Sequence, residues 1–148
     1  MVHAISEKQT LSELLREARA NVPEISVAQA RLALDRDDRR VILDVREPQE
    51  WADGHIAGAL HRPRGLIEFL ADPTSGRADR RLLASRLGRV FVYSGAGERS
   101  LLAAQTLRSL GYDNVASIAG GLREWRARGF PVERADHEDL DVLATGWG

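Results

Sequence analysis

The chain of 148 residues contains no cysteine. That excludes disulfides, thiolate-held metals and any thiol nucleophile in the molecule as written. Aromatic residues make up only 5%, and there is a single methionine. No apolar run approaches the ~20 residues that span a bilayer. Met1-Val2-His3-Ala4 lacks the basic and apolar regions of a secretory signal, so a cytoplasmic location is the expectation. With a net charge of −1 there is no global field to favour nucleic acid or a membrane. The four histidines, His3, His55, His61 and His137, show no metal-ligand spacing on one helix, and a metal site is not expected. Lys8 is the only lysine, so nearly all the positive charge is arginine.

What remains is ordinary for a globular domain: 43% hydrophobic and 29% charged residues, in a chain long enough for one real core. Leu11, Leu14, Leu15 and Ala18 fall on one helical stripe, with Thr10 placed to cap it. Ile25 to Val27 reads as a short edge strand and Ala28 to Leu34 as a helix. Val41 to Val45 is a near-continuous apolar run, the pattern of a strand buried on both faces of a parallel sheet. Glu47 to Ala52 reads as a helical turn, and Gly54 to Gly58 as a loop leading to a strand near Ala59 to Arg62. Leu66 to Leu70 and Asp79 to Leu87 are helical, with an exposed loop over 72–77 between them. Val90 to Tyr93 and Val115 to Ile118 are strands flanking a helix whose stripe is Leu102, Ala103, Leu107 and Leu110. Gly120-Gly121 is a turn, Leu122 to Arg128 a helix, and Gly129-Phe130-Pro131 its stop. Alternation of five strands with helices predicts an α/β fold: a five-stranded, mainly parallel sheet with helices on both faces. Residues 1–22 form an amphipathic helical extension, 23–132 the domain, and 133–148 an acidic tail expected to be loosely held and to dock Trp147.

The most informative stretch runs from Val90 to Ser100. A β-branched run stops at Ser94-Gly95-Ala96-Gly97-Glu98-Arg99, and a helical pattern begins at once. Backbone N–H groups at such a junction converge on one point, and the helix dipole adds about half a positive charge. Three readings compete. Gly95-Ala96-Gly97 opens a dinucleotide-type G-x-G-x-x-G, but Ser100 replaces the third glycine. A serine-hydrolase elbow needs glycine at 92 and 96, where Val92 and Ala96 stand. The third is a cradle for a tetrahedral anion, with Gly95 and Gly97 free to adopt unusual φ, Arg99 suited to oxyanions and Ser100 as a cap or donor. Glu98 would repel such an anion unless it points outward.

Beyond the loop, Asp44-Val45-Arg46-Glu47-Pro48, Glu50-Trp51 and Gly54-His55-Ile56-Ala57-Gly58-Ala59 form one block. Gly111-Tyr112, Asn114-Val115, Gly120-Gly121, Trp125, Gly129 and Pro131 form another. With the loop between them, residues 23 to 132 resemble the rhodanese-like domain family. The resemblance implies sulfane sulfur transfer without organic cofactor or metal. A cysteine at the position of Ser94 attacks a small anionic donor such as thiosulfate, becomes a persulfide as sulfite leaves, and passes the sulfur to a thiophilic acceptor. It also implies that a six-residue loop belongs to sulfurtransferases, since phosphatase relatives carry one residue more.

Serine departs from that pattern. A thiol near pKa 8.5 can be lowered by several units at a helix N-terminus, whereas a serine hydroxyl keeps its proton and forms no persulfide. As written, the chain is expected to be inactive in that reaction, either as a Cys-to-Ser variant of an enzyme or as a natural non-catalytic module that binds an anion or a protein partner. Anion binding by the backbone donors of Gly95 to Ser100 is expected to persist. Asp44 either caps the following turn or orients Arg46 near the pocket. Arg46 and Glu50 are spaced for an ion pair. His55 is expected to bond backbone within its glycine loop, Tyr93 to be half-buried, and Trp51 and Trp125 to pack. Arg62 and Arg64 add potential near the pocket, and the run Arg77, Arg80, Arg81, Arg86, Arg89 reads as a solvated face or a docking site for an acidic partner.

Overall fold

The computed structural model describes residues 8–36 and 39–134. The expected acidic tail, including Trp147, lies almost wholly outside the described residues. In chain order the elements are α1 (Leu11–Asn21), β1 (Glu24–Ile25), α2 (Val27–Arg36), β2 (Arg40–Asp44), α3 (Pro48–Ala52), β3 (His55–Ile56), β4 (Leu60–His61), α4 (Ile67–Ala71), α5 (Arg80–Ala84), β5 (Arg89–Tyr93), α6 (Glu98–Ser109), β6 (Val115–Ile118), α7 (Gly121–Ala127) and β7 (Val132–Glu133). Single 3₁₀ turns precede α4 and follow α5.

Five strands form one sheet in the order β1-β6-β5-β2-β4, every pair parallel. Side-chain alternation divides the core between the two faces. Leu43, Val90 and Val92 join Leu15, Ala18, Leu82, Leu101 and Leu107 on one face. Ile42, Phe91 and Tyr93 join Val27, Ala30, Leu122 and Trp125 on the other. Because the strands are parallel, the loops after Asp44 and Tyr93 leave from the same edge, where ligands of such sheets bind.

α1 starts where Thr10 predicts, its side chain accepting from Glu13 N. Only Leu15 and Ala18 of its stripe are buried, while Leu11 is 57% exposed. Two further expectations need correction. Gly54 to Gly58 is not all loop: His55 and Ile56 form β3, paired antiparallel with Glu133 and Val132. The segment after Pro131 is correspondingly held at its start, where Gly58 N also donates to Glu133 Oε1 at 3.2 Å.

The arginine-rich surface also differs from a plain solvated face. Arg77 lies over Phe69, Arg86 over Tyr112 and Arg89 over Phe91. Planar guanidinium groups shield aromatic rings in a way that lysine does not. Arg62 is bonded to Asp79, and Arg64 to Glu68 and Thr106.

Candidate active-site loop

The loop is set by what holds its carbonyls. β5 delivers Ser94 to the sheet edge, and Gly97, at φ +108°, turns the chain into α6 as its N-cap. Gly95 is not in that left-handed region, contrary to the expectation of unusual φ at both glycines. Its lack of a side chain makes room instead: a Cβ there would sit 3.1 Å from Arg99 Nη2. The N-terminus of α7 ties the loop down from the other side. Leu122 N donates to Ser94 O at 2.9 Å and Arg123 N to Gly95 O at 3.0 Å. With two carbonyls anchored, the peptides beyond them turn N–H groups onto position 94.

Ser94 is 1% exposed, and its Oγ accepts from Gly97 N and Ser100 N, each at 3.2 Å. Two of the donors expected for a bound anion are therefore engaged by the serine oxygen itself. Ser100 is fully buried, and its Oγ lies 3.3 Å from Ser94 Oγ. Ala96 and Glu98 are exposed, so Glu98 faces outward as an anion site would need.

Arg99 reaches the loop mouth, but its fork is engaged by Glu50 from α3, at 2.7 and 2.9 Å. The expected Arg46–Glu50 ion pair does not form. Arg46 precedes Glu47, the N-cap of α3, so the helical spacing does not apply, and its guanidinium turns inward. It is 4% exposed and bonds both oxygens of Asp44, with Nη2 to Oδ2 at 2.8 Å. Asp44 also caps the following turn, since Oδ1 accepts Arg46 N at 2.9 Å. Burial pulls the Arg46 guanidinium down, but Asp44 outweighs it and leaves the group raised.

The hydrogen bond from Arg99 draws the Glu50 carboxyl down from 4.5 to about 2, against partial burial. The folded value lies below the ordinary one. The pair's contribution is therefore complete above about pH 4.5 and is lost as pH falls toward about 2. Both side chains are more than a third exposed, at 37% and 41%, which limits the contribution to about 1 kcal/mol or less. Glu50→Gln should flatten the stability profile between those pH values, as read by urea titration at stepped pH. An unchanged slope would contradict this.

Behind the loop lies a polar layer that the sequence reading largely missed. Tyr93 is fully buried rather than half-buried, and its hydroxyl accepts Ile56 N at 3.0 Å. Burial, then the Asp44 charge, pushes its ionisation well above the usual range. Trp51 stacks on His55 at 3.4 Å and on His61 at 4.8 Å. His55 bonds Trp51 O and approaches Glu133, not its own glycine loop. His61 Nε2 bonds Arg46 O at 2.8 Å, and burial lowers its pKa. A tryptophan at 51 followed by histidines at 55 and 61 was the available signal.

The rhodanese-like domain family matches residues 26–128, and the chain belongs to this family. A Bacillus subtilis protein described as a candidate sulfur carrier, YrkF, is 30% identical over 112 residues, which is 76% of this chain and 55% of that protein. The chain spans about half to two thirds of the length of the curated relatives it matches. A solved structure from Rhodopseudomonas palustris, a protein of unknown function described as a possible tyrosine phosphatase, is 34% identical. It superposes with a TM-score of 0.79, covering 85% of this chain and 96% of that one. A human single-domain sulfurtransferase is 29% identical with a TM-score of 0.60, covering 72% and 97%. Among the described residues, no helix is long and apolar enough to cross a membrane.

Proposed function

We propose that this chain carries the sulfane-sulfur site of a rhodanese-like sulfurtransferase with its nucleophile replaced by serine, and that it forms no persulfide as it stands. The reading rests on the place of Ser94 Oγ, where the N–H groups of Gly97 and Ser100 converge at the start of α6. A thiolate at that point would be stabilised by the same two N–H groups and by the helix dipole. Its sulfur would bond the sulfane sulfur of thiosulfate, and the S–S bond of the donor would break with its electron pair leaving on sulfite. Cyanide or a thiol would then attack the terminal sulfur and release the thiolate. The sulfur-carrier and sulfurtransferase descriptions of the relatives fit a small anionic donor and a thiophilic acceptor.

Ser94→Cys tests this. The expected result is a gain of thiosulfate-to-cyanide transfer from none to a measurable rate, together with a mass increase of one sulfur atom after thiosulfate alone. A folded variant with neither change would overturn the reading and favour a non-catalytic module. One observation favours that second reading: the serine is nearly closed off and consumes two of the loop's own donors. Hydrolysis of aryl phosphates by the same variant would instead point to phosphoryl chemistry.

A further inference from the structure

Ser117 lies in the middle of β6, where burial is complete, and a lone hydroxyl in that strand needs a reason. Its Oγ is 2.9 Å from Ser100 Oγ, which lies 3.3 Å from Ser94 Oγ. The hydrogens in this chain can be assigned by elimination. Gly97 O can only accept, so the 3.0 Å contact uses the single hydrogen of Ser100. Ser100 Oγ then accepts from Ser94 on one side and from Ser117 on the other. Ser94 Oγ in turn accepts the two backbone N–H groups. The three hydroxyls form one buried unit with a fixed polarity, all three residues being no more than 1% exposed.

We infer that Ser117 is a positioning residue that sets, through Ser100, how readily the atom at position 94 holds a negative charge. An anion at 94 no longer donates to Ser100. The Ser100 hydrogen is then free to swing from Gly97 O onto that anion. The Ser117 hydrogen continues to occupy and polarise Ser100 Oγ, which makes Ser100 a stronger donor. Without Ser117, Ser100 can still turn its hydrogen to the anion, but its oxygen is no longer polarised and it donates more weakly. The inference deepens the proposed function, since it concerns the same position.

The absence of any other cysteine makes the test clean, because a thiol introduced by Ser94→Cys is the only one in the chain. Its alkylation rate by iodoacetamide, followed across pH, gives the midpoint of thiolate formation. Adding Ser117→Ala should move the midpoint upward and slow alkylation at pH values below the midpoint by about 1.3- to 4-fold, the cooperative share of one charge-assisted hydrogen bond. Ser117→Thr, which keeps the hydroxyl, should restore it. The surrounding charges (Glu98 and Arg99 on α6, Glu50 on α3, Asp44 and Arg46 at the end of β2) are common to all variants and cancel. Thermal melting of each confirms that it is folded.

An unmoved midpoint in Ser117→Ala, or an equal shift in Ser117→Thr, would overturn the inference. Thiosulfate-to-cyanide transfer by Ser94→Cys is measured alongside. Transfer without a Ser117 effect defeats the inference alone, whereas a Ser117 effect without transfer defeats the functional reading alone.

Discussion

Asp44→Ala should destabilise the domain by about 3–5 kcal/mol, lowering its melting temperature by roughly 10 °C or more. Asp44 is fully buried at the end of β2, and its carboxylate holds the backbone N, Nε and Nη2 of Arg46. The remaining Arg46 partners are two carbonyls, Glu50 O at 3.2 Å and Gly54 O at 2.8 Å, and the face of the Tyr93 ring, none of which carries a full negative charge. Truncation of the acid leaves a guanidinium that cannot release its proton, in a site with little access to water. The cost comes from the stranded cation more than from the lost pair. Replacing both partners, as Asp44→Asn with Arg46→Met, should therefore be milder than Asp44→Ala alone. Chemical denaturation of the three proteins decides it. A single-variant loss below about 1 kcal/mol would mean that water reaches Arg46 once the acid is gone.

The same residues show what a sequence can and cannot reveal. The strands ending at Asp44 and Tyr93 were legible because a parallel sheet buried on both faces demands unbroken β-branched runs. The loop was legible because a strand meeting a helix within a few residues leaves few conformations. Partner choice was less so. Arg46 and Glu50 stand four apart, yet only a helix makes that spacing meaningful, and Arg46 lies before the helix begins. The actual partner of Glu50 is Arg99, 49 residues away in the first turn of α6. Strand β3 has two residues and gains its identity only from β7, far along the chain at Val132 and Glu133, so no local pattern could announce either. Ser117 was hidden for the opposite reason: it sits in a short apolar run, where a single serine looks like noise until its neighbour in the first turn of α6 is known.

Two backbone hydrogen bonds tie α7 to the loop, and Gly121 is the tightest point of that junction. Gly121 begins α7 at φ +54°, and a Cβ placed there would lie 2.3 Å from Ser94 O and 2.8 Å from Gly95 O. Both obstacles are backbone, and both are the carbonyls that receive Leu122 N and Arg123 N. In Gly121→Ala, either the loop shifts, moving the donors away from position 94, or α7 retreats and uncovers Leu122 and Trp125, which are 6% and 1% exposed.

The steric cost adds to the left-handed backbone cost, giving an expected loss of about 3 kcal/mol or more. In the Ser94→Cys background the same change should reduce sulfur transfer at least tenfold, even at temperatures where the protein remains folded, because the anion donors no longer share one focus. Gly58→Ala provides the comparison. It has a similar φ of +79° with nothing within 4 Å of its Cβ, so it should lose only the backbone component, about 1–2 kcal/mol. Equal losses at the two glycines would mean that α7 slides freely away from the loop, and the helix would then have no part in fixing the serine.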